Sequence, residues 1–570
     1  MSPKFLRAAC WLPFCWLAWY IGGLDPQLPL FDQWTFGQFY HAVAMGEAGW
    51  QDFLAPHNNS HPIVFARLVL TPIALATDLN FKAEIWLCLL VVMAMFFIMG
   101  RMLDRAGIGD TPAALTARFM SAVLLCSPVI YWPWVWSNGF FHFSINLAIV
   151  AAAWLLIPDN ERPSRGRNVV LAMACCAVAS TTRAEGLASW GILAPAAFVY
   201  TKALPHRARW RTAWLSGALL CGLFFVYSFG FLREASSLPL PGASSMAGDL
   251  WLSSLVALGL IGRPLGAGLQ HLAPAGIPDP RVFMPLGAAL VFAFGWLSGS
   301  HFKAKAGAIR NVALAWIGVG VYGLSFAGAA TLARVSLLES NLFGDFWPMM
   351  YSATTVMVFV AVTQLGALRW SAARPGAMSA LERRSLIGAS LAAAALLLAG
   401  YGALGPSALA KRAQSVDSGD CWELIPHLAQ SNLCFVNLPS TDIVDRFAEA
   451  GFRHVRTDVV KLEHTSGESA GRLEPLASPQ EGVLNHRVEG RVQQPPEGGR
   501  PSVFIEVDGK LFGQAVVERE TAEQWRFVGQ IHWSGPDPAR VRAFLYQREA
   551  GRLLPLPGEM TLGADEDETQ

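Results

Sequence analysis

The stretch Ala83–Gly100, "AEIWLCLLVVMAMFFIMG", decides the fold class. Glu84 is its only charged residue. At about 1.5 Å of rise per residue, such a run covers most of a hydrocarbon core about 30 Å thick. Comparable runs recur near residues 8–24, 119–136, 141–157, 169–182, 186–200, 212–231, 282–298, 311–330, 349–368 and 386–404. The chain of 570 residues is 53% hydrophobic and 15% charged, whereas soluble domains carry about 25% charge. The sequence therefore predicts an α-helical polytopic membrane protein, with about eleven transmembrane helices across residues 1–404. The net charge of +1 selects no partner class. No basic stripe interleaved with aromatics suggests a nucleic-acid surface.

Charge sets the expected topology, because cytoplasmic loops carry the Lys and Arg excess. With the N-terminus inside, alternate loops hold Arg101 and Arg105; Arg162, Arg165 and Arg167; Lys202, Arg207, Arg209 and Arg211; Lys303, Lys305 and Arg310; and Arg369, Arg374, Arg383 and Arg384. Counting either 63–79 or 250–271 as a further crossing would put later basic loops on the wrong side. Both stretches are expected to be interfacial or re-entrant helices on the outer face. Lys4 and Arg7 precede the first apolar run. No small-x-small cleavage site precedes "YIGGLD", so that run is expected to stay as the first span. Everything after residue 404 is then extracytoplasmic.

The cysteines divide along the same line. Cys10, Cys15, Cys88, Cys126, Cys175, Cys176 and Cys221 lie in or beside apolar spans, where Cys behaves as a small apolar residue. Cys421 and Cys434 lie outside them, in "DCWELIPHLAQSNLCF". A pair in an oxidising compartment suggests a disulfide, contributing about 3 kcal/mol in the chain-entropy model. The alternative is two unpaired thiols. Residues 405–480 read as a soluble α/β linker segment, with a short capped helix at "STDIVDRFAEAGF". From about residue 482 the apolar period becomes two. "SVFIEVDGKLFGQAVV" reads as a hairpin around Asp508-Gly509, and "WRFVGQIHW", "ARVRAFLYQ" and "RLLPL" read as further strands. Residues 481–560 are expected to form a small β-sandwich, either carbohydrate-binding or inert, followed by an acidic tail over 561–570.

Polar residues concentrate in the outer segments. Leu30–Leu68 holds Asp32, His57, His61 and Arg67. His57 and His61 stand four apart, a spacing that can place two imidazoles on one helical face for a divalent metal, with Asp32 as a further ligand. Pro62 and the two Asn between them argue instead for a turn with histidines that only hydrogen-bond. Arg183 and Glu185 sit at the tip between two short spans, either as a structural pair or as a site for a lipid phosphate. Arg334, Glu339 and Asp345 form another outer loop, and Arg233, Arg263 and Arg281 also fall on that side. Guanidinium forks match phosphate geometry.

An Asp after the first span, a long first outer loop, many spans and an extracytoplasmic C-terminal domain together resemble the GT-C superfamily of membrane glycosyltransferases. "FDQW" is similar to its first-loop acidic motif, and "TTRAEGL" to the "RPEG" element of several branches. "HNNSHPIVFARL" is similar to an "HNEHR…RL" stretch of related bacterial membrane proteins. The resemblance covers roughly residues 8–404. Gln33, Ala184 and Asn59 stand where the related patterns carry an acid, a proline and a glutamate. The resemblance implies a bacterial inner-membrane enzyme using a polyprenyl-phosphate sugar donor and a glycan, lipid or protein acceptor. Asp32 would be its catalytic base. His57, His61, Arg67, Arg183, Glu185, Arg334 and Glu339 would bind substrate. No nucleotide-binding loop is visible, so no nucleotide is expected. Two other readings stay open. One is a transporter or flippase for lipid-linked glycans, which should show matching repeats and broken helices at mid-depth. The other is a non-catalytic membrane protein that displays a β-sandwich.

Overall fold

The computed structural model describes residues 3–24, 33–57, 62–77, 80–130, 132–135, 139–158, 165–229, 243–266, 283–303, 307–332 and 346–372, some between 388 and 409, and most of 471–474, 485–493 and 501–562. The chain divides into two compact units. Residues 1–24, 49–74 and 82–412 form the first, and 25–48, 75–81 and 413–570 the second.

The helices are α1 (Pro3–Ala9), α2 (Leu12–Gly22), α3 (Gln33–Ala44), α4 (Trp50–Leu54), α5 (Val64–Ala76), α6 (Phe81–Arg105), α7 (Pro112–Leu125), α8 (Trp132–Val135), α9 (Gly139–Leu155), α10 (Gly166–Thr182), α11 (Ala188–Thr201), α12 (Arg207–Phe229), α13 (Ala243–Gly266), α14 (Met284–Phe302), α15 (Ala308–Leu332) and α16 (Phe346–Ala372). Among the described residues, Phe81–Arg105, Ala308–Leu332 and Tyr351–Ala372 are long and apolar enough to cross a membrane. Shorter apolar helices stand beside them. The first unit also exposes large apolar side chains, among them Leu215, Leu219, Leu220 and Leu223 on α12 and Phe292 on α14. Exposed runs of that kind are costly in water and ordinary against lipid.

Prolines move some boundaries. The expected span 8–24 is two helices, because Pro13 lacks an N–H and crowds the preceding turn. The expected span 119–136 starts earlier, at Pro112, and its helix stops at Leu125. Beyond it, Pro128 opens a single 3-10 turn and Pro133 lies in the four-residue α8. The stretch 63–79 yields the 13-residue α5, about 20 Å long and too short to cross. Its buried Ala66, Arg67, Leu70, Thr71 and Ala74 recur at helical spacing. Within the stretch 250–271, residues 250–266 belong to α13. The last turns of α13 are buried, and α13 runs antiparallel to α14 with backbones in close approach. A Cβ on Gly287 would meet Leu258 O at 1.9 Å, and one on Gly262 would meet Phe283 O at 2.1 Å.

The described residues that flank the basic loops gather at one end of this unit. Arg105 Nη1 donates to Trp154 O at 2.6 Å, joining the ends of α6 and α9. Asn168 Nδ2 donates to Tyr200 Oη at 3.0 Å, joining the start of α10 to the end of α11. Thr111 and Ser371 hydroxyls lie 3.3 Å apart, and Arg7 pairs with Asp110. Both contacts bring the start of α7 into the same neighbourhood.

The second unit holds the strands β1 (Gly471–Glu474), β2 (Asn485–Gln493), β3 (Ser502–Val507), β4 (Lys510–Gln514), β5 (Val516–Arg519), β6 (Gln524–His532), β7 (Ala539–Gln547), β8 (Arg552–Pro555) and β9 (Met560–Leu562). They form two antiparallel sheets, ordered β1-β2-β6-β5 and β4-β3-β7-β8, with β9 on β7. The expected hairpin is present: Val507 pairs with Lys510, and Asp508 has φ 49°. Val488, Val492, Val517 and Phe527 of one sheet share an apolar cluster with Val503, Ile505, Val541 and Leu545 of the other. The strand β1 lies ahead of residue 481, where the alternating pattern was expected to begin. The helix expected at 440–452 lies outside the described residues.

Candidate functional site

Arg183 ends α10 in an extended conformation, φ −158° and ψ 156°. Residues 184–187 then make one 3-10 turn before α11 begins. Gly186 permits the reversal: a Cβ there would meet Ala179 O at 2.0 Å. Trp190 Nε1 donates to Ser180 Oγ at 3.1 Å and locks α11 against α10. The expected helix–reversal–helix at "TTRAEGL" is therefore present.

This turn buries charge. The Arg183 side chain is 6% exposed and that of Glu185 13%. Their contact is bidentate, Nε to Oε2 at 3.2 Å and Nη2 to Oε1 at 2.9 Å. A third bond runs from Arg183 Nη1 to His142 Nε2 at 3.0 Å. Guanidinium only donates, so His142 Nε2 must accept. The histidine is then neutral, with its proton on Nδ1 facing Thr354 Oγ1 at 3.4 Å. Glu185, Arg183, His142 and Thr354 thus form one chain of polar contacts.

Aromatic rings wall it in. His142 meets Phe326 and Tyr351 edge-on, at 6.1 and 6.0 Å between centroids. The Arg183 guanidinium carbon stands 6.0 Å from the Tyr351 ring centre. Tyr322, one helical turn before Phe326, interacts electrostatically with both Arg183 and Glu185. Among the described residues its buried hydroxyl has no hydrogen-bond partner. The cluster therefore joins the start of α9, the end of α10, the second half of α15 and the start of α16. That is the opposite end of the first unit from the basic loops.

The other expected residues are placed differently. His57 and Arg67, expected in an outer segment, are buried, at 3% and 7% exposure. Arg67 Nη1 donates to Phe53 O at 3.1 Å and also to Ala55 O. A guanidinium satisfies backbone carbonyls left over where α4 ends, which accounts for its burial. The Phe65 ring stacks on Phe140 with centroids 6.2 Å apart, so the start of α5 reaches the helix end that carries His142. Arg263, expected on the outer side, is buried in the last turn of α13. Asp32, His61, Arg233, Arg281, Arg334, Glu339, Asp345, Cys421 and Cys434 lie outside the described residues. Of the expected metal set only His57 is described. Among the described residues no three His, Cys, Asp or Glu side chains converge.

Sequence reasoning missed His142, Thr354, Tyr322 and Tyr351. His142 had a signal, since an ionisable ring four residues into the apolar helix "GFFHFSINLAIV" is costly without a partner. The tyrosines had none, because Tyr is ordinary in apolar helices. Compared with known protein families, curated proteins and solved structures, the chain matches none.

Proposed function

We propose that this chain is a multi-pass bacterial inner-membrane glycosyltransferase of the GT-C type. It moves a sugar from a polyprenyl-phosphate donor to a glycan, lipid or protein acceptor on the extracytoplasmic face. The observation that carries the reading is the buried Arg183–Glu185–His142 cluster, at the end of the helical unit away from the basic loops. The positive-inside rule assigns the basic end to the cytoplasm, which gives Arg183 to the outer leaflet. An arginine buried at that depth, with histidine fixing its position, suits the phosphate of a lipid carrier better than it suits a solvated surface.

In this reading Asp32 removes the proton from the acceptor hydroxyl. The acceptor oxygen forms the new bond to the anomeric carbon. The bond from that carbon to the phosphate oxygen breaks, and the lipid phosphate leaves with the electron pair. Arg183 stabilises the charge gathering on it. His57, His61, Arg67, Arg334 and Glu339 serve as further substrate-binding groups, and the C-terminal sheets form a small sandwich outside the membrane.

The test is transfer from a short-chain polyprenyl-phosphate sugar by the full chain in vesicles. Asp32→Asn and Arg183→Gln should each lower transfer by about 100-fold or more while insertion is unchanged. Near wild-type transfer by Asp32→Asn would remove Asp32 as the base and leave Asp345 or Glu339 as the next candidate. No transfer by the wild-type chain with any such donor would sink the reading.

A further inference from the structure

Glu185 fills the binding fork of Arg183 with a carboxylate from the same chain, two residues away. Arg183 is pinned from a third side by His142, on a different helix. Glu185 belongs to a short 3-10 turn, and its side chain is about twice as exposed as that of Arg183, 13% against 6%. The carboxylate is the partner nearer the surface. Tyr322 interacts electrostatically with both partners, and its hydroxyl is buried without a hydrogen-bond partner among the described residues. Buried hydroxyls are nearly always bonded, so one left over is a place where a bound group can dock.

We infer that Glu185 is a resident stand-in for a phosphate group: it occupies the Arg183 fork in the empty protein, is displaced when a phosphate ester binds, and the Tyr322 hydroxyl then donates to that phosphate. The inference rests on the proposed lipid-phosphate reading of Arg183 and adds to it a competition built into the chain. Electrostatics requires the exchange. With Glu185 in the fork the pair is neutral overall. An entering phosphate would set two anions against one buried guanidinium, and like charges close together in low dielectric repel strongly. Once Glu185 swings out, the phosphate oxygens take over both fork bonds, Arg183 stays paired, and Tyr322 gains the partner it lacks. The resident carboxylate also spares the empty protein a bare buried cation.

The experiment measures binding rather than transfer. Full-length protein in detergent is titrated with farnesyl phosphate, with inorganic phosphate and with farnesol. Glu185→Gln removes the competing charge and keeps hydrogen-bonding capacity, so it should tighten farnesyl phosphate about tenfold. Tyr322→Phe should weaken it about fivefold, and neither change should alter farnesol binding. A gain confined to farnesyl phosphate identifies a lipid phosphate, and an equal gain for inorganic phosphate identifies a free one. Both uphold displacement. Unchanged or weaker phosphate binding by a folded Glu185→Gln protein overturns it. Should that variant not fold, Glu185→Asp shortens the reach to the fork and should likewise tighten binding; failure to do so also overturns displacement. Displacement without any sugar transfer would sink the transfer reading alone.

Discussion

At the residue scale, two ion pairs show how burial changes what a charge does. In the second unit Glu506 is 1% exposed and sits directly opposite Arg542 across β3 and β7. Arg542 Nε donates to Glu506 Oε1 at 2.8 Å. Removing one member of a buried pair strands the other, whereas replacing both with apolar groups is often neutral. Arg542→Met should therefore cost about 3 kcal/mol, and the double variant Glu506→Leu/Arg542→Met should recover most of it. Hydrogen exchange of residues 501–547 in the full-length protein measures both. Equal losses in the single and double variants would mean that the pair contributes nothing beyond packing. This pairing could not be read from the sequence, because the partners are 36 residues apart. Alternation revealed β3 and β7, but not that the face of β3 turned away from the apolar cluster buries a glutamate matched by an arginine.

At the element scale, close helix packing in the first unit depends on particular glycines. The helix α14 carries the contrast within itself. A Cβ on Gly287 would run into the backbone of α13, while one on Gly295 would meet nothing within 4 Å. Gly287→Ala should push α13 and α14 apart and cost about 1–3 kcal/mol, as overpacking does. Gly295→Ala should be neutral or slightly stabilising, since Ala is the better helix former. Thermal unfolding in detergent separates the two, and equal midpoints would refute the close approach. The sequence showed that both stretches were apolar. It suggested an interfacial or re-entrant place for 250–271, because charge alternation alone does not register glycine contacts.

At the scale of the whole molecule, the described flanks of the basic loops gather at one end of the helical unit and the Arg183 reversal closes the other. A reporter fused near residue 160 should show a cytoplasmic location, and one fused after residue 410 an extracytoplasmic one. The reverse result would turn the Arg183 end toward the cytoplasm and remove the outer-face reading. The first outer loop is split by the fold: residues 25–48 belong to the second unit and 49–74 to the first.

The sequence by itself determined whatever is local. Hydropathy marked about eleven apolar runs, of which three among the described residues are helices long enough to cross a membrane; proline set where helices stop, Asp508-Gly509 set the hairpin, and "TTRAEGL" set the reversal. Each depends on a few neighbouring residues, through rise per residue, missing N–H groups or allowed backbone angles. The tertiary structure alone decided which polar groups meet. Arg183 and Glu185 were legible as a pair because they are adjacent, but His142 lies 41 residues away from Arg183, and Tyr322 and Tyr351 come from two later helices. Such meetings depend on how helices pack, and an apolar stripe records that a face is buried without recording against what. The same holds for His57 and Arg67, which are polar in sequence and buried in the fold.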